Sequence, residues 1–81
     1  MDAYVATFHT HLAALRSCRA LQKAGISQAR LAPVPRRLSS SCGTCTMYPS
    51  EDPMLGYMDT DLEAIYRRDG DGFQLVHGEA D

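Results

Sequence analysis

The chain has 81 residues, of which 44% are hydrophobic and 22% charged, and a formal net charge of −2. That length allows one domain with a small core, and that balance excludes wholesale disorder. The charge is unevenly placed: residues 1–45 carry one acid against six bases and residues 46–81 nine acids against two, or +5 against −7. Halves of opposite sign fold against one another and largely cancel, so no nucleic-acid partner is expected. Met1-Asp2 opens no secretory leader, and no run approaches the roughly 20 apolar residues of a membrane span. A cytoplasmic protein without a membrane partner is therefore expected. Three cysteines, an odd number without a secretory leader, point to reduced thiols, redox chemistry or a metal rather than a disulfide framework.

In chain order, residues 3–8 read as a strand, because Tyr4, Val5 and Phe8 favour extended backbone in a mostly apolar run. Thr10 can cap a helix over residues 11–24, in which Ala14, Leu15, Cys18 and Leu21 share one stripe, with Arg16, Arg19 and Lys23 beside or opposite it. Gly25 suits the left-handed residue that ends a helix, with Ile26 folding back on the last turn. Residues 27–34 read as a second strand, stopped by Pro33 and Pro35, which lack a donor. Residues 45–48 resume the extended pattern, with Cys45 and Met47 on one face and Thr46 and Tyr48 on the other.

A short second helix is expected from Pro49 onward, with Ser50 as its cap, Glu51 and Asp52 in its first turn, and Met54, Leu55 and Met58 as its apolar face. Residues 62–67 and 73–77 read as strands joined by a hairpin through Asp69-Gly70-Asp71-Gly72. This order predicts an α+β fold of the ferredoxin-like split βαβ type, an antiparallel sheet with two helices on one face and an added C-terminal hairpin strand. Residues 1–77 form the single domain, and residues 78–81 are expected to be a frayed tail.

Residues 33–48 carry the chemistry. A thiol reacts as thiolate, which nearby cations and hydrogen-bond donors favour. Arg36, Arg37, Ser39, Ser40 and Ser41 supply both beside Cys42, and Gly43 lets a partner backbone come close. The competing reading is a polar loop whose arginines are solvated and whose hydroxyls satisfy the local backbone. Cys18, within the helical apolar stripe, reads as a buried inert thiol.

Cys42-Gly43-Thr44-Cys45 also has dithiol spacing. Fully extended, the two Cα atoms would stand about 10 Å apart, too far for a disulfide. A turn at Gly43 would bring them within roughly 7 Å. Cys45 is thus either a resolving thiol or a strand residue facing the core. A zinc site would have to draw on Cys42, Cys45, His9, His11 and His77, and one cysteine pair is thin support for it. No cofactor is implied. The chain shows no aromatic RNA platform, glycine-rich phosphate loop, paired catalytic carboxylates or Ser-His-Asp pattern. A binding module with an inert Cys42 is the reading from another class.

Tyr4-Val5-Ala6-Thr7-Phe8 leading into Ala14-Leu15-Arg16, the helix end Ala24-Gly25-Ile26, Pro33-Val34-Pro35-Arg36-Arg37-Leu38-Ser39-Ser40-Ser41-Cys42-Gly43 and Glu63-Ala64-Ile65-Tyr66-Arg67 together resemble the small selenium/sulfur carrier-like family. The resemblance spans most of residues 3–68, and the proline-arginine-serine-cysteine-glycine stretch is its distinctive motif. It implies a stoichiometric carrier with sulfur or selenium held on Cys42 as persulfide or perselenide. A donor such as a cysteine desulfurase and an acceptor protein would be its partners. Cys45 departs from the family pattern, where a small or aliphatic residue is expected, and residues 49–62 are shorter than the usual second helix.

Overall fold

Five antiparallel strands and one helix make up the computed structural model, which describes residues 1–78. The strands are β1 (Asp2–Phe8), β2 (Arg30–Pro33), β3 (Thr44–Ser50), β4 (Leu62–Asp69) and β5 (Gly72–Gly78), and the helix is α1 (His11–Lys23). They lie in the order β2-β3-β1-β4-β5. Because β3 runs antiparallel to both β1 and β2, the two strands that α1 connects are parallel to each other with β3 inserted between them.

Period-two alternation along β1 sends Tyr4, Ala6 and Phe8 to the helix side and Val5 and Thr7 to the other. The helix side holds the main core, where Tyr4, Ala6, Phe8, Tyr48 and Ile65 meet Ala13, Ala14, Cys18 and Leu21 of α1. Phe8, Leu21 and Ile65 are fully buried, each contributing about 1.5–3 kcal/mol by removal from water. Thr46 also points into this layer, and its Oγ1 donates to the Ala14 carbonyl at 2.9 Å, so a buried hydroxyl is satisfied.

The ends of α1 form as expected. Thr10 Oγ1 accepts from the Ala13 amide at 3.1 Å, and Gly25 takes φ +103 while the Ile26 amide donates to the Leu21 carbonyl at 3.0 Å. That is a Schellman closure, and Ile26 packs on the core beyond it.

Three expectations need correction. β2 is shorter than predicted, beginning only at Arg30, because residues before it turn off the end of α1. The second helix does not form. Pro49 and Ser50 instead extend β3, opposite Ala3 and Asp2, beyond Met47 where β2 has ended and one flank of the strand is free. The remaining segment has a single 3-10 turn, Leu55–Tyr57. Its acidic side chains bond nearby amides instead of favouring a helix: Asp52 Oδ1 accepts from Met54 N at 2.6 Å and Asp59 Oδ1 from Asp61 N at 3.0 Å. Such local bonds compete with helix formation, and so short a segment with Pro53 and Gly56 inside it cannot offset the cost of nucleation.

Gly78 is the third correction. It closes β5 opposite Ala64 with φ +90, and a Cβ there would stand 2.2 Å from the Glu63 carbonyl oxygen. The rest of the expected tail, residues 79–81, lies outside the described residues.

The sheet face away from α1 carries Val5, Cys45, Ala64 and Tyr66, all buried although no helix covers them. Residues 34–43 lie across this face. Pro35 lines a cavity together with Val5 and Met47, and Arg37 Nη1 donates to the Asp71 carbonyl at 2.6 Å in the β4–β5 turn.

Candidate functional site

The connection between β2 and β3 is closed at its base by the Val34 amide, which donates to the Gly43 carbonyl at 3.0 Å. Gly43 takes φ +74, the left-handed conformation that turns the chain from Cys42 into β3. Cys42 therefore sits at the end of the sheet, two residues before the ladder resumes at Thr44. Its side chain is half-buried, and Sγ–H donates to the Thr44 carbonyl at 3.3 Å. Only the protonated thiol can make that bond.

Glu63, near the start of β4, organises the residues leading into Cys42. Its Oε1 accepts from the Ser41 amide at 3.0 Å and from Ser40 Oγ at 3.1 Å, while Oε2 accepts from Ser41 Oγ at 2.8 Å. Ser40 Oγ also lies 3.2 Å from the Phe8 carbonyl, which ties the loop to the end of β1. His9 completes the cluster, with Nδ1 3.5 Å from Glu63 Oε2 and 3.4 Å from Ser41 Oγ. Burial pushes the Glu63 carboxyl up, but the Ser41 amide, the two serine hydroxyls and His9 together outweigh it and hold it below the usual carboxylate range.

Two of the serines read as thiol neighbours thus have a carboxylate as their partner, and the loop backbone before Cys42 is fixed by it. Ser39 is exposed. Arg37 is spent on the Asp71 carbonyl. Arg36 is exposed, and among the described residues it makes no ion pair or side-chain hydrogen bond. On the far side of Cys42, His11 Nδ1 lies 3.3 Å from Thr44 Oγ1, so His9 and His11 bracket the cysteine through its neighbours.

The other two thiols are buried. Cys45, paired with Thr7 and Ala32 in the middle of three strands, points to the face beneath the 34–43 connection, and its Sγ approaches the Pro33 carbonyl at 3.7 Å. Burial pushes its thiol up to about 11, against a smaller opposing effect of Arg30. Cys18 lies in the core between α1 and the sheet, where burial likewise raises its thiol. Cys42 and Cys45 are both free thiols. Among the described residues, no three His, Cys, Asp or Glu side chains come together as a metal-binding group.

Glu63 is the neighbour of the Cys42 loop that sequence reasoning missed, and His9, read from the sequence only as a candidate zinc ligand, joins it there. A signal for Glu63 existed: a carboxylate inside the otherwise apolar run Leu62-Glu63-Ala64-Ile65 needs partners when its strand is buried. Nothing in the sequence says that those partners lie 22 and 23 positions upstream.

No curated protein and no solved structure matches the chain. A family model described as "Putative Se/S carrier protein-like" matches residues 3–55. The matched stretch runs from β1 through the Cys42 loop and β3 and stops before β4, so Glu63 and the run Glu63–Arg67 lie beyond it. A match over more than half of the chain, with Cys42 and its loop inside it, places this protein in the Se/S carrier protein-like family.

Proposed function

We propose that the protein is a stoichiometric carrier of sulfur or selenium rather than an enzyme, and that Cys42 holds the cargo. The observation that carries this reading is the contrast among the thiols: Cys18 and Cys45 are buried, and Cys42 alone is not. It lies at the sheet end, where a donor and then an acceptor can approach it. The frame is read as a ferredoxin-like split βαβ sheet, in one domain of residues 1–77, that has kept one helix and added a hairpin strand.

In the loading step the Cys42 thiol loses its proton and its bond to Thr44 O, and the thiolate attacks the outer sulfur of a donor persulfide. The new bond is Cys42 Sγ–S, the donor's S–S bond breaks, and the donor leaves as thiolate. The product is Cys42–S–SH. In delivery an acceptor thiolate attacks that outer sulfur and Cys42 leaves as thiolate, so no net oxidation occurs. A selenium donor would give Cys42–S–SeH by the same exchange. Arg36, with Ser39 and the exposed Gly43, faces the partners in this reading, while Arg37, Ser40 and Ser41 act by holding the loop. Cys45 enters as a resolving thiol only when the start of β3 opens, and otherwise serves as a core residue. A cysteine desulfurase is the natural class of donor, in the cytoplasm, with a thiol protein as acceptor.

Intact mass after incubation with a persulfide donor tests the reading. Wild type should gain one sulfur that dithiothreitol removes, and Cys42→Ser should gain none. No adduct in wild type, or equal adducts in the two, would overturn it.

A further inference from the structure

A cavity of about 440 Å³ lies on the sheet face away from α1, within the range of small-molecule sites. We propose that it binds a small monocarboxylate with an apolar body. Val5 and Met47, paired across β1 and β3, form its floor, and Pro35 of the Cys42 loop and Phe73 of β5 are among its walls. Arg30 on β2 and Arg68 on β4 also line it. Three strand spacings separate those two strands, roughly 14 Å, so the two arginine side chains can converge over the apolar floor.

Charge settles the class of occupant. No acidic side chain lines the cavity, and among the described residues neither Arg30 nor Arg68 has an ion-pair or side-chain hydrogen-bond partner. By strand alternation Asp69 points to the opposite face from Arg68. Two guanidinium groups over one apolar floor repel each other, and an anion between them removes that cost. Planar guanidinium forks match a carboxylate in bidentate geometry. A phosphate is less well served, since no glycine lines the cavity to bring backbone amides to it. The remaining walls would take an aromatic ring or a short alkyl chain.

This site is independent of sulfur carriage. The probe is 2-naphthoate, followed by backbone amide NMR shifts, with 2-naphthalenemethanol as the uncharged ligand of the same body. Saturable shifts are expected at Val5, Met47 and Phe73, with binding about tenfold weaker for the alcohol and about tenfold weaker in Arg30→Gln/Arg68→Gln. Both arginines are exposed, so the double variant should keep the wild-type spectrum elsewhere. The site is refuted by shifts confined to other residues, by no saturable shift, or by equal affinity for alcohol and acid. Should the double variant misfold, the comparison of acid with alcohol on wild type still decides.

Discussion

The two long connections of this chain, residues 34–43 and 51–61, are similar in length and are held differently. The first is tied by groups distant in sequence: Glu63 to Ser40 and Ser41, Arg37 to the Asp71 carbonyl, and Ser40 to the Phe8 carbonyl. The second is shaped largely by its own side chains, Asp52 and Asp59, and its distant ties all fall at its C-terminal end: the Asp59 amide to Ser17 Oγ at 2.9 Å, the Asp59 carboxylate to Arg16 at 3.9 Å and the His9 amide to the Asp61 carbonyl at 3.0 Å. Locally determined turns keep their shape whatever the rest of the fold does. A connection held from a neighbouring strand depends on that strand, and here it delivers the Cys42 thiol to a defined place. The lesson is that the Cys42 loop is part of the sheet's architecture, although it contains no regular structure after β2.

Substitutions can break that contrast. The largest effect is expected at Glu63: Glu63→Ala removes three hydrogen bonds to a carboxylate whose side chain is 17% exposed, costing about 2 kcal/mol after water replaces part of them. A urea midpoint unchanged from wild type would show the clamp to be energetically idle. The same variant should alkylate Cys42 with iodoacetamide several-fold faster, because the loop is released.

The clamp also carries a pH signature. Because the folded Glu63 carboxyl is held below its ordinary value, its contribution is fully present above the ordinary glutamate pKa of about 4.3 and is lost as pH falls through the lower folded value. The stability gap between wild type and Glu63→Ala should therefore be wide at pH 7 and narrow markedly toward pH 3, as followed by urea unfolding at each pH.

A smaller loss, about 1 kcal/mol, is expected for Gly43→Ala. There is open space for a Cβ, but φ +74 is costly for any side chain. In the other connection Asp59→Ala should cost about 0.5–1 kcal/mol, since it removes one turn bond and a long ion pair, 3.9 Å, to an Arg16 side chain that is mostly in solvent. The smallest effect, and one of opposite sign, belongs to Gly56→Ala. Gly56 has ordinary backbone and nothing within 4 Å of a new Cβ, so the substitution should stabilise by about 0.5 kcal/mol through the unfolded chain. Thermal or urea unfolding of the two glycine variants side by side would test the contrast, and a shift of the same sign in both would remove it.

Alternating apolar residues in Tyr4–Phe8, the Thr10 cap, the Gly25-Ile26 stop and the Asp-Gly hairpin are all short-range signals, and each produced the element it implies. In the hairpin Asp69 pairs with Gly72 around Gly70 at φ +60, the positive φ required of the first residue in a tight two-residue turn. Cys42 in a loop ahead of a strand was equally legible, because Pro35 and the serine run bar regular structure there.

What misled was the segment after Tyr48, where Ser50, Glu51 and Asp52 imitate a helix start. Capping and dipole signals favour that start, whereas the pairing of Pro49 and Ser50 with β1 decides the outcome. By itself, then, the sequence determined the strands, the first helix with both its ends, the hairpin turn and the identity of the loop thiol, all of which rest on interactions within a few residues. Only the tertiary structure decided that Glu63 grips the serines, that Cys45 is buried while Cys42 is only half-buried, and that two arginines share a cavity. Those outcomes depend on which strands become neighbours and on how much water each side chain keeps, and neither is a property of a local stretch of chain.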